Sequence, residues 1–197
     1  MPERVERVLA LPSTDVNKIL VGELSDEARS MMRTLEFELY GGAECSTPLI
    51  LRAMLACRLG ARPEDVARLL DWREFESFCA DLLRSAGFEV RKNVRLRRPT
   101  AQIDVVATGP SVVLSVDCKH WKRGASSSVL EKVAHDQRKR NELLRKTIPD
   151  APPIVSVVIT FAQQEERFVG GAAVVPLFAL RSFLNSLDEY HAFLDST

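Results

Sequence analysis

Residues 102–119 read QIDVVATGPSVVLSVDCK. Two apolar runs, Gln102 to Ala107 and Val112 to Lys119, flank the turn signal Thr108-Gly109-Pro110-Ser111. This pattern predicts two antiparallel strands joined by a short hairpin. Side chains alternate along a strand, so Asp117 and Lys119 share one face at the end of the second run and Cys118 faces the other way. Asp104 interrupts the first run, between Ile103 and Val105. A carboxylate is costly to bury there unless it is paired or binds a metal. The hairpin brings Asp104 within range of Asp117. Two converging carboxylates repel each other, and a shared divalent cation reconciles them best. For Asp117 and Lys119 alone, the bland alternative is an ion pair at a frayed strand end.

Upstream, Phe88 to Arg97 reads as another strand, with alternating basic residues. Before it, Asp71 caps a predicted helix whose apolar stripe is Phe75, Phe78, Cys79, Leu82 and Leu83, and Gly87 ends that helix. Glu74 and Glu76 lie about 100° to either side of the stripe. Either could point toward the strand ends, and solvated boundary glutamates are the competing reading. Downstream, Ser126 or Ser127 opens a long helix to about Lys146. Leu130, Ala134, Gln137, Asn141 and Leu144 share one face of it by their spacing, so two amides interrupt an apolar stripe. Gln137 is either near the acids or a core-edge amide bonded to backbone.

Ile154 to Thr160 is a continuous apolar run, as expected of a strand buried on both faces. Gly170-Gly171 precedes a short strand, Ala172 to Val175, and Pro176 starts a final helix with Leu177, Leu180, Phe183, Leu184 and Leu187. The order α-β-β-β-α-β-β-α predicts an α/β fold. An antiparallel meander and a crossover helix leading to a parallel strand make a mixed sheet with helices on both sides. Residues 1–70 read as a small helical N-terminal region. Ser25 caps a helix stopped at Gly41-Gly42, Thr47-Pro48 opens a second through Leu59, and Arg62-Pro63 opens a third through Leu70. The division falls between 1–70 and 71–197.

The 197 residues are 46% hydrophobic and 27% charged, as in a globular protein, with 27 basic and 27 acidic side chains. Zero net charge excludes a wholly basic, histone-like binder. The balance is uneven, however: residues 71–150 hold 16 basic against 11 acidic side chains. Arg91, Lys92, Arg95, Arg97 and Arg98 lie on or after the first strand, Lys122 and Arg123 follow the third, and Arg138, Lys139 and Arg140 lie on the crossover helix. Such a stripe suits a phosphate backbone. Trp121 is suited equally to stacking on a base and to packing. No apolar run approaches the ~18 residues of a membrane span, and no signal peptide is visible, so a cytoplasmic protein is expected. Cys45, Cys57, Cys79 and Cys118 contain no CxxC pair. Zinc is not indicated, and Cys79 and Cys118 read as reduced core thiols.

Together these residues resemble the PD-(D/E)XK nuclease superfamily, whose αβββαβ core carries an acid in its first helix, an Asp in its second strand and a (D/E)xK in its third. The matching positions are Glu76, Asp104, and Asp117 with Lys119. The wording Trp72-Arg-Glu-Phe-Glu-Ser-Phe, followed by Leu83-Arg-Ser-Ala-Gly-Phe-Glu-Val, resembles the Mrr-type restriction endonuclease and archaeal Holliday-junction resolvase branch. There the acid follows an aromatic residue, which favours Glu76, and a helix glutamine matches Gln137. Two departures stand out: Ile103 precedes Asp104 where the superfamily often has Pro or Gly, and Asp117 stands where the branch often has Gln. Residues 1–70 lie outside the resemblance.

The resemblance implies a restriction-endonuclease-like fold and metal-dependent hydrolysis of DNA phosphodiesters. Asp104, Asp117 and the Cys118 carbonyl would hold Mg2+ or Mn2+, with Glu76 reaching it directly or through water. Lys119 would hold the attacking water. His120 and His135 are not needed as bases. Cutting both strands implies a homodimer, to which the final helix, with Phe178, Phe183 and Phe193, either contributes or simply packs on the sheet. The competing function is an inactive DNA-binding or assembly module on the same fold.

Overall fold

The computed structural model describes residue 19 and residues 24–41, 48–97, 100–121, 124–161 and 167–187. From residue 24 onward the described elements begin with α1 (Asp26–Tyr40), α2 (Pro48–Arg58) and α3 (Pro63–Ala67). The expected start and stop of α1 hold. Ser25 Oγ accepts the Ala28 N–H, and Gly41, in the left-handed region at φ 63°, donates its own N–H to the Phe37 carbonyl. Then follow α4 (Trp72–Ser85), β1 (Glu89–Leu96), β2 (Ala101–Thr108), β3 (Val113–Lys119), α5 (Ser127–Thr147) and β4 (Ile154–Thr160). The chain continues through β5 (Arg167–Val169), β6 (Ala172–Pro176), a 3-10 turn (Leu177–Ala179) and α6 (Leu180–Asn185).

The strands form one mixed sheet in the order β1-β2-β3-β4-β6-β5. The β1-β2-β3 meander is antiparallel, and α5 carries the chain over to β4, which pairs parallel to β3. The restriction-endonuclease-like α/β architecture expected from the sequence is therefore present. Two details differ. Gly170 and Gly171 do not merely precede a strand: both have positive φ, 55° and 78°, and they join β5 to β6 as a two-residue hairpin. The final helix also begins as a 3-10 turn, with α6 proper starting at Leu180.

The sheet is covered on both faces. Phe75, Phe78 and Leu83 of α4 pack with Val105, Ala107, Leu114, Val116 and Phe161, and this cluster runs on into Leu35, Leu39, Ile50 and Met54 of α1 and α2. On the other face Leu144 packs over Ile103, Val106 and Val113, while Leu130 and Ala134 pack over Val158 and Val174. Phe183 is buried in the first cluster and packs on the sheet, so it does not offer itself to a partner; Phe193 lies outside the described residues. Among the described residues no helix is long and apolar enough to cross a membrane.

The alternation of faces slips once. Val105 and Ala107 face α4, yet Ile103 packs beneath α5 with Val106. Opposite the slip, Asn93 has φ 53° and holds Gln102 Nε2 at 3.0 Å on its side-chain oxygen. The missing rung between Lys92↔Val105 and Val94↔Ile103 is the Asn93–Asp104 pair. Asp104 therefore stands where β2 turns over.

Phe75 is fully buried one residue before Glu76 and stacks edge-on with Phe161 at 6.0 Å. Phe75→Ala is expected to destabilise the protein by about 3–5 kcal/mol, read as a lower urea midpoint at unchanged slope; a shift below about 1 kcal/mol would contradict this packing.

Candidate active site

The β2–β3 ladder ends at Val105↔Val116. One further rung in the same register would set Asp104 opposite Asp117. The ladder stops there because Asp104 Oδ2 accepts the Cys118 N–H at 2.8 Å, and a side-chain carboxylate takes the place of a strand carbonyl. The Asp104 carboxyl also lies close enough to Asp117 to be repelled by it. In a strand the N–H and C=O of one residue leave on the same edge, so the Cys118 carbonyl opens toward the same gap. Its thiol lies on the opposite face beside Cys79. That neighbouring thiol, together with burial, holds the Cys118 thiol protonated, well above the ordinary thiol range.

Asp117 is only 3% exposed. Its Oδ1 accepts from Lys119 Nζ at 3.1 Å and lies 3.3 Å from Arg140 Nη1. Its Oδ2 is 2.9 Å from Lys119 Nζ, but it receives no well-directed hydrogen bond. Asp104 is raised above the ordinary carboxyl range, first by burial and then by the repulsion of Asp117; the Cys118 N–H and Lys119 oppose this.

The two helix glutamates differ in what α4's own start asks of them. Glu74 Oε2 accepts the Asp71 N–H at 3.3 Å while Asp71 accepts the Arg73 N–H at 2.7 Å, a capping box that commits Glu74 to the helix end. Glu76 is the acid within electrostatic range of the strand pair. Burial first, then Asp104 and Asp117, push its pKa up to about 7, against the pull of Lys92 and Arg73. Among the described residues no three His, Cys, Asp or Glu side chains are gathered tightly enough to hold a metal by themselves. Asp104, Asp117 and the Cys118 carbonyl remain as a small, hard oxygen set. It fits a cation that keeps most of its water, as Mg2+ does, and the crowding of the two carboxyls is the observation in its favour.

Gln137 is fully buried on α5. It donates from Nε2 to the Ser115 carbonyl at 2.9 Å and to Ser115 Oγ at 2.8 Å, and its Oε1 accepts from Arg140 Nη1 at 2.8 Å. It reaches the acids through Arg140 rather than directly. Arg140, read from sequence only as one more basic residue, is what that reading missed at the site. Its position three residues after Gln137, on the same helical face, is the signal that would have found it.

The other basic residues divide. Arg91, Lys92, Arg95 and Arg97 are exposed on and just after β1, with Lys92 Nζ 3.0 Å from Ser77 Oγ. Arg138 turns away to the Gly170 carbonyl at 3.3 Å. Arg98, Lys122 and Arg123 lie outside the described residues. Trp121 packs against the Leu130 cluster, His120 sits between Phe75 and Phe161, and His135 is exposed.

Residues 67–143 match the Mrr_cat family, described as a restriction endonuclease. That span contains Glu76, Asp104, Asp117, Lys119 and Gln137. An uncharacterized protein of Archaeoglobus fulgidus is 28% identical over 124 residues, which are 61% of this chain and 95% of the relative. The family match and the mixed sheet agree on a restriction-endonuclease-like fold and a nuclease-type domain.

A carboxyl whose folded pKa is raised costs stability as pH climbs from its unfolded value of 4.5 through about 7. Glu76→Gln is neutral at every pH. In metal-free buffer its melting temperature should exceed wild type, with the margin growing between about pH 5 and about pH 8. Thermal melts in EDTA would detect this, and a margin independent of pH would contradict the crowding of Glu76 by the two aspartates.

Proposed function

We propose that the protein is a metal-dependent DNA endonuclease that hydrolyses phosphodiester bonds, with residues 71–197 as its nuclease unit and two copies needed to cut both strands. The convergence of Asp104 and Asp117 carries this reading: two neighbouring carboxyls, one of them almost wholly buried, with a lysine alongside make poor structural sense and good catalytic sense. Asp104, Asp117 and the Cys118 carbonyl would hold Mg2+ or Mn2+. Such an ion supplies Lewis-acid polarisation of the phosphate and relieves the repulsion between the carboxylates.

The chain's own groups do the rest. Lys119 Nζ, held at Asp117, is placed to hold the attacking water, favour its hydroxide form and neutralise charge developing on the phosphorus oxygens. Glu76 bounds the acidic side of the site and orients water there. Arg91, Lys92, Arg95 and Arg97 present positive charge to the phosphate backbone, with Arg98, Lys122, Arg123 and Arg138 as further candidates, so affinity should fall as salt rises.

Supercoiled plasmid, flap and four-way-junction DNA should be cut in Mg2+ and left intact in EDTA, and the panel would separate restriction-like from junction or repair substrates. Lys119→Ala should lower cleavage by about 10²-fold or more while gel-shift affinity stays near wild type. Binding without cutting by the wild-type protein would favour the inactive module, and undiminished cutting by the variant would remove Lys119 from the mechanism.

A cation that relieves the two aspartates should also stabilise the fold. Mg2+ is expected to raise the melting temperature of wild type and to do so much less in Asp104→Asn, which keeps the Cys118 hydrogen bond and loses the charge. Equal shifts in both proteins would count against this ligand set.

A further inference from the structure

We infer that Arg140, aimed by Gln137, is a catalytic arginine of this site: it pairs with Asp117 in the resting protein and transfers to a non-bridging oxygen of the scissile phosphate when substrate binds. The inference rests on the nuclease reading and adds to it the group that recognises the phosphate.

Three observations carry it. First, the Gln137 amide can sit only one way round. Its NH2 faces the Ser115 carbonyl at 2.9 Å, where the opposite orientation would set two carbonyl oxygens against each other. The remaining oxygen of this fully buried amide therefore points at Arg140 Nη1, 2.8 Å away. Second, the same Nη1 lies 3.3 Å from Asp117 Oδ1. One guanidinium nitrogen thus bridges a rigid buried amide and the most buried acid of the site. Third, a guanidinium has five N–H donors. Among the described residues, the Arg140 side chain engages only Gln137 and Asp117, and it remains 27% exposed. The unused donors form a fork that matches two oxygens of a phosphate.

Charge decides what happens next. In the resting site Asp117 has two cationic partners, Lys119 and Arg140. A divalent cation on Asp104 and Asp117 would compete with Arg140 for Oδ1 and repel it. An arriving phosphate offers the displaced guanidinium a new anion, while Gln137 keeps its base in place. Arg140 should therefore weaken cation binding in the absence of DNA and speed cleavage in its presence. A purely structural arginine would not show this opposition.

The experiment uses the full chain as wild type, Arg140→Lys, Arg140→Gln, Gln137→Met and the Arg140→Gln/Gln137→Met double variant. Mg2+ titrations without DNA, followed by calorimetry, should give a midpoint about two- to fivefold lower for Arg140→Gln, the size of a partly exposed ion pair. Single-turnover plasmid cleavage at saturating Mg2+ should fall by about 10²-fold in Arg140→Gln and nearly as far in Arg140→Lys, which keeps the charge and loses the fork. The double variant should be no slower than Arg140→Gln alone, because Gln137 acts through Arg140. If wild type fails to cut, the nuclease reading falls and this inference with it. If wild type cuts and Arg140→Lys matches its rate, the nuclease reading stands and the assignment of Arg140 is wrong. A raised Mg2+ midpoint in Arg140→Gln would likewise overturn it, showing an arginine that merely supports the carboxylate.

Discussion

The hydrogen bond from the Cys118 N–H to Asp104 Oδ2, 2.8 Å long, sets the geometry of everything around it. A strand donor must find an acceptor once it is buried. At this point β2 turns over, with Asn93 in the left-handed region across from Asp104, and β2 supplies a side-chain carboxylate in place of a backbone carbonyl. The substitution satisfies the donor and ends the β2–β3 ladder after Val105↔Val116. It holds Asp104 beside Asp117 and leaves the Cys118 carbonyl facing the gap. An alanine at 104 would leave a buried N–H unpaired.

A second constraint fixes the helix above. Apolar burial is non-directional, so the leucines and alanines of α5 would tolerate some sliding along the sheet. Ser115 and Ser156 stand side by side on β3 and β4, in register. Gln137 bonds Ser115, and Asn141, one turn later, donates to Ser156 Oγ at 2.6 Å. These two amide–hydroxyl pairs lock α5 in rotation and height, as buried hydrogen bonds do when partners are specific. Arg140 lies between the two amides in sequence, so its position over Asp117 follows from that lock. The arrangement is not optimal for stability, because a carboxylate almost wholly removed from water with two cations beside it seldom repays its desolvation.

Much of this was legible in the chain. The hairpin signal at 108–111 was enough to oppose Asp104 and Asp117, because a short turn fixes register. The 4-3-4-3 spacing on α5 put Gln137 and Asn141 on the buried face correctly. The Asp71-x-x-Glu74 spacing is itself a capping-box signature, so Glu74 could have been assigned to the helix end from sequence. Gly170-Gly171 between two short apolar runs likewise carried the signature of the β5–β6 hairpin. Other features had no local signal. The left-handed turn at Asn93 depends on the neighbouring strand, since Asn tolerates that region without requiring it. Nor does Arg138's turn to the Gly170 carbonyl, while Arg140 two residues on turns to Asp117, follow from any spacing. Tertiary packing chose their partners.

Among the described residues β1 is an outer strand of the sheet, and the backbone groups of an outer strand can template another extended chain. Arg91, Lys92 and Arg95 line that strand, and the Asn93 kink breaks its straightness in the middle. Charge and a local bend are the two devices by which β proteins resist aggregation by strand addition. The charge proposed to meet a polyanion would thus also oppose strand addition, and neutralising those residues to weaken a nucleic-acid contact would risk insolubility as a side effect.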